Sequence, residues 1–141
     1  AEVLCKLGSE HVMVVHASDG LDEFTLSGST HVAELNNGEV KEYSVSPEDV
    51  GLSCVNLDGL SVASAEESLA LINDALGSRT TPASHKAADI IAFNAGAAVY
   101  VAGIASSLEE GVRMAEDAIG SGLAKAKIQE LAAFTECQAS S

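Results

Sequence analysis

The residues best placed to do chemistry are the run Asp19-Gly20-Leu21-Asp22-Glu23. Asp22 and Glu23 are adjacent hard oxygen donors, suited to holding Mg²⁺ or orienting its waters. Asp19 beside Gly20 suits a side-chain-stabilised turn, with the glycine free to take a conformation other residues resist. The run follows His11-Val12-Met13-Val14-Val15-His16, a continuous apolar stretch that predicts a strand covered on both faces. Negative charge is thereby placed at the carboxyl end of a strand, where α/β proteins build their ligand crevices. His16, at the end of that strand, is expected to make a structural hydrogen bond.

No other motif competes. His11, His31 and His85 have no partner at ligand spacing. The sequence has no G-x-S-x-G elbow, no G-x-G-x-x-G and no Walker A loop. No catalytic nucleophile, general base or substrate-binding residue is therefore assigned. The cysteines, Cys5, Cys54 and Cys137, are odd in number and lack CxxC spacing. That disfavours zinc and a disulfide framework and predicts reduced thiols in a cytoplasmic protein.

The 7 basic and 21 acidic residues give a formal charge of −14. A surface so negative opposes nucleic acid and anionic membranes. It also opposes a polyphosphate substrate unless a cation or basic groups from elsewhere supply positive charge. The apolar run from Ile90 to Ala105 is shorter than the roughly 20 residues a membrane span needs, and Asn94, Gly96 and Gly103 interrupt it, which predicts a buried helix.

The elements that must position the acidic run read as follows. Residues 1–8 end a helix at Gly8, and the chain opens inside that helix without Met, as a fragment or processed product would. Phe24-Thr25-Leu26 is a short strand or extended loop. His31–Leu35 and Glu39–Val45 flank Asn36-Asn37-Gly38, a hairpin signal at a partly exposed edge. Ser46-Pro47-Glu48-Asp49 opens a turn or helical start. Residues 51–63 read as loop, and Ser64-Ala65-Glu66-Glu67 as a capping box for a helix carrying Leu69, Ile72 and Leu76, ended by Gly77. Residues 78–83 form a polar linker. A helix from His85 to about Gly103 is apolar nearly all round beyond Lys86 and Asp89, and its Asn94 needs a hydrogen-bond partner. Ser107-x-x-Glu110 caps a helix with Leu108, Val112, Ala115 and Ile119 on one stripe, and a last helix carries Ala124, Ile128 and Leu131. With aromatics at 4% and no Trp, these helices must pack closely through small residues.

The stretches VMVVHASDGLDE, HVAELNNGEVKEYSVSPEDVGL, NAGAAVYVAG and SLEEGVRMAEDAIGSGLAKAKIQELAAF occur in that order and cover the chain from about Ala1 to Phe134. Together they resemble the C-terminal part of anthranilate phosphoribosyltransferase, with DGLDE and SPEDVGL the specific pieces. One departure is Gly28-Ser29-Thr30, where the family often has Gly-Pro-Thr; it removes a φ-fixing proline and touches no chemistry.

The resemblance implies an α/β, nucleoside phosphorylase/phosphoribosyltransferase-like catalytic domain. Residues 1–141 would be its C-terminal part, with strands in the first half and helices in the second. It implies Mg²⁺ as cofactor at Asp22 and Glu23, and phosphoribosyl pyrophosphate and anthranilate as substrates of the complete enzyme, in tryptophan biosynthesis. The family's glycine-rich pyrophosphate loop, its Lys-His-Gly-Asn segment and its anthranilate-binding arginine have no counterpart here. Nor has the smaller helical domain that carries the family's homodimer contacts. The chain alone is therefore expected to be inactive. Two alternatives stay open: a non-catalytic acidic domain on the same scaffold, and a pyrimidine nucleoside phosphorylase-like enzyme, against which DGLDE argues.

Overall fold

A computed structural model describes residues 1–139. A short helix α1 (Glu2–Lys6) ends at Gly8, whose left-handed φ of +89° turns the chain into β1 (His11–Ala17). Strands β2 (Thr30–Asn36) and β3 (Glu39–Val45) complete an antiparallel sheet in the order β1-β2-β3. Asn37 and Gly38, both at positive φ (50° and 81°), make the two-residue turn between β2 and β3. This is the geometry that matches the twist of paired strands. Phe24-Thr25-Leu26 is an extended loop outside the sheet, and all three residues are buried.

The covering of β1 on both faces is corrected. It is an edge strand among the described residues, and Val14 is 43% exposed. Among the described residues its main neighbours are β2 and α3 (Pro82–Val101): Met13 and Val15 pack against the core, while Val14 and His16 are exposed. β3 is the exposed edge of the hairpin, as its imperfect alternation predicts.

A 3-10 turn at Pro47–Val50 is closed by a capping box between Ser46 and Asp49. The loop over residues 51–63 is tied down by the Lys86 ammonium, which donates to Asn56 Oδ1 (2.7 Å) and the Asp58 carbonyl (3.1 Å). Helix α2 (Ala65–Ala75) starts at Ser64, whose hydroxyl accepts from the Glu67 N–H; α4 (Leu108–Gly120) starts in the same way at Ser107 and Glu110. In both, the glutamate reaches one residue beyond the cap, to the N–H of Ala63 or Ser106.

Helix α3 begins three residues before His85 and absorbs part of the expected linker. Thr81 caps it reciprocally with Ser84, and Pro82 sits in its first turn, where a missing N–H costs nothing. The helix is not buried all round: Ala87, Ala88, Ala92, Phe93, Gly96 and Ala97 are buried, whereas Ala95 and Ala98 are exposed. One core joins Phe24, Leu26, Val32, Val45 and Leu52 to Phe93 and Val112; another joins Leu76, Ala92, Ala115 and Ile119 across α2, α3 and α4. Helix α5 (Leu123–Ala139) leaves Leu123, Ile128, Leu131 and Phe134 exposed. Among the described residues no helix is long and apolar enough to cross a membrane.

Candidate functional site

The acidic run forms the connection out of β1, and each end of it is held. On the leading side the Ala17 N–H donates to the Leu21 carbonyl (3.0 Å), and the Leu21 N–H donates to Asp19 Oδ1 (3.2 Å). Asp19 Oδ2 accepts from the hydroxyls of Thr25 and Ser27, both at 2.5 Å. Those bonds, Ser27's first and then Thr25's, hold the Asp19 carboxyl below its usual range. Asp19 is thus the turn's internal brace, and Gly20 takes φ +94° beside it.

On the trailing side Phe24 is gripped by α3. The Phe24 N–H donates to Asn94 Oδ1 (2.9 Å), and Asn94 Nδ2 donates to the Phe24 carbonyl (3.0 Å) and to the Ile90 carbonyl (3.0 Å). These bonds meet the demand that a polar side chain on an apolar helix creates. The Phe24 ring is 1% exposed and stacks on Phe93 at 4.5 Å between centroids.

Between these anchors, Asp22 and Glu23 are exposed. Both line a groove between β1 and α3, whose walls include Met13, Val15, Asn94 and Ala97. Glu23 also borders a second apolar groove, formed by Leu57, Leu60, Leu71 and Ile90. No group of three or more His, Cys, Asp or Glu side chains that could hold a metal occurs among the described residues. Two all-oxygen donors suit Mg²⁺, which binds through one or two carboxylates and fills its shell with water and phosphate oxygens. The donor set fits the ion the sequence implies.

His16 is exposed and lies opposite His31 in the β1–β2 register. Among the described residues its expected hydrogen bond is not formed, and the side chain stands exposed on the strand.

A polar cluster escaped the sequence reading. Glu34 Oε1 accepts from His11 Nε2 (2.7 Å) and the Tyr100 hydroxyl (2.9 Å), and Oε2 accepts from the Tyr43 hydroxyl (2.7 Å). Burial alone would raise the Glu34 pKa; the three donors outweigh it and hold the carboxyl below its usual range. Burial, then the neighbouring Glu34, pushes both phenols up, so they remain donors. The cluster ties all three strands to the end of α3.

Residues 1–125 match the model of the "Glycosyl transferase family, a/b domain". The chain belongs to this family. It is 64% identical over 136 residues to an anthranilate phosphoribosyltransferase of Cellvibrio japonicus, covering 96% of this chain and 40% of the relative. It is 61% identical over 137 residues to one of Hahella chejuensis, with 97% and 40% covered. The crystal structure of anthranilate phosphoribosyltransferase from Thermus thermophilus superposes with a TM-score of 0.80 at 36% identity, over 94% of this chain and 38% of that one. The Saccharomyces cerevisiae enzyme in complex with PRPP and Mg superposes with a TM-score of 0.65 at 23% identity, over 79% and 31%, and shares the fold. The resemblance to anthranilate phosphoribosyltransferases and the α/β class are borne out. The chain spans about 40% of the length of the curated relatives it matches.

Proposed function

We propose that this chain is the C-terminal, metal-holding part of an anthranilate phosphoribosyltransferase acting in tryptophan biosynthesis. The substrates are phosphoribosyl pyrophosphate and anthranilate. The complete enzyme is a cytoplasmic homodimer whose dimer contacts and smaller helical domain lie outside this chain. The reaction forms a bond from the anthranilate nitrogen to the ribose anomeric carbon. The carbon–oxygen bond to pyrophosphate breaks, its electron pair leaves with pyrophosphate, and the nitrogen loses a proton.

The observation that carries this reading is the placement of Asp22 and Glu23, exposed between two anchored neighbours in a chain of the glycosyl transferase family. In a chain of net charge −14, two carboxylates repel a polyanionic donor by themselves. Asp22 and Glu23 would hold Mg²⁺, which would supply positive charge to offset the negative charge developing on pyrophosphate. The chain's own contribution is orientation. Asp22 and Glu23 fix the side from which the leaving group is held, and the Asn94 grip and the Asp19 brace keep that side constant. The basic groups for phosphate and for the anthranilate carboxylate come from the remainder of the enzyme.

The test joins this chain to the upstream segment of the Cellvibrio japonicus relative, in place of that enzyme's own matching region. Turnover is followed by anthranilate fluorescence and pyrophosphate release. The joined protein is expected to turn over and the isolated chain to show none, because catalysis needs both substrates held in one geometry. Turnover by the isolated chain, or a folded but inactive joined protein, would overturn the reading.

A further inference from the structure

We infer that Asn94 is a positioning residue for the metal-holding carboxylates, acting through the backbone of Phe24; this rests on the function proposed above. Asp22 and Glu23 have no side-chain bond that sets their direction among the described residues, so their aim is set by the backbone on either side. The leading side is braced within its own loop, by Asp19. The trailing side is referenced to a different element, α3, seventy positions away in sequence, through Asn94.

The arrangement is specific to a side-chain amide. Phe24 presents a donor and an acceptor, and Asn94 answers them with its oxygen and its nitrogen. The second proton of that nitrogen goes to the Ile90 carbonyl one turn back, which fixes the amide's plane relative to the helix. Leucine would fill the space and satisfy neither group. Aspartate would accept from the Phe24 N–H and repel the Phe24 and Ile90 carbonyls. The ring stack of Phe24 on Phe93 holds the side chain of Phe24 independently, so the fold does not depend on Asn94 alone. Removing the amide should loosen the aim of Glu23 more than it loosens the core.

The same groove contains Asp22, Glu23 and Asn94. Groups that orient metal-binding carboxylates typically change metal affinity or activity by about 10- to 100-fold when removed. Asn94→Ala should therefore raise the Mg²⁺ concentration at half-maximal response about 10-fold, with kcat recovered at saturating Mg²⁺. A purely structural role would instead lower the active fraction at every Mg²⁺ concentration and leave the midpoint unmoved.

The experiment uses the joined enzyme and two readouts across a Mg²⁺ series: steady-state turnover, and calorimetric binding of inorganic pyrophosphate. Asn94→Ala is compared with Asn94→Asp and with Asp22→Asn/Glu23→Gln. Hydrogen exchange at the Phe24 amide confirms that the bond is lost in Asn94→Ala and retained in Asn94→Asp. Should Asn94→Ala fail to fold, Asn94→Asp carries the test, with a smaller shift in the same direction expected. Midpoints raised in both Asn94 variants and in the carboxylate variant support the inference. A midpoint moved by the carboxylate variant but not by either Asn94 variant overturns the inference alone. A midpoint unmoved by the carboxylate variant overturns the metal reading, and the inference with it.

Discussion

Gly96 on α3 lies directly against Gly111 on α4: a Cβ built on Gly111 would sit 2.3 Å from the Gly96 carbonyl oxygen. A Cβ on Gly96 would meet the backbone of Val112 at 2.5 Å. The two helices therefore touch backbone to backbone, and this brings Val112 under Phe93 and the Phe24 loop in one core. Position and chemistry are linked here, since the helix that grips Phe24 is itself seated by this contact.

The first prediction uses a reversal of sign. Gly→Ala inside an exposed helix usually stabilises by about 1 kcal/mol. At Gly96 or Gly111 the added methyl must push backbone aside, so each substitution is expected to destabilise by about 2 kcal/mol. Gly120, with nothing within 4 Å of its position, is the control and should tolerate alanine. Urea denaturation measures all three, and a gain in stability at Gly96 or Gly111 would contradict the contact.

Phe93 and Ala95 separate the two sides of α3. Phe93 is 0% exposed, so Phe93→Ala is expected to cost about 3–5 kcal/mol. Ala95 is exposed, and Ala95→Glu should change stability by less than about 0.5 kcal/mol. Thermal unfolding of the isolated chain distinguishes these outcomes. A large loss at Ala95 would restore the all-round buried helix that hydropathy alone predicts.

Glu34 gives the protein a pH dependence with a definite sign. Its folded-state pKa lies below the unfolded one, because the bonds from Tyr43, His11 and Tyr100 outweigh the cost of burial. Its contribution is therefore present above the unfolded value and lost as pH falls through the folded one. Glu34→Gln should cost about 1–3 kcal/mol near pH 7 and progressively less as the solution is acidified below about pH 4. Equal losses across that range in chemical denaturation would show that the charge is not what the three donors hold.

Much of the local structure was legible in the residues. Asn37-Gly38 can take the two positive φ angles of a tight hairpin, and Ser64 and Ser107 cap the helices they precede. The start of α3 was misplaced by three residues: Thr81, Pro82 and Ser84 form its cap and first turn, whereas the polar appearance of residues 78–83 reads as a linker. The His11–Glu34–Tyr43–Tyr100 cluster was not legible, because Tyr100 lies 66 positions from Glu34 and farther still from His11, and nothing in their local spacing couples them. Gly96 and Gly111 look like weak points of helices until the crossing is seen. The exposed side of β1 was misread for a related reason: an apolar run states that burial is preferred, and not which segment supplies it.

In the site, the pair Asp22-Glu23 and the unmet demand of Asn94 could be seen separately. Their connection through Phe24 could not, since it depends on where α3 passes relative to the end of β1.

The most direct measurement is Mg²⁺-dependent pyrophosphate release by the joined enzyme carrying Asp22→Ala and Glu23→Ala, with both substrates saturating. The loss of both carboxylates should lower turnover at least about 10-fold and shift the Mg²⁺ midpoint upward, while the unfolding temperature stays close to that of the parent because both side chains are exposed. An unchanged rate and an unchanged Mg²⁺ midpoint in a folded protein would contradict the assignment of this loop as the metal-holding edge.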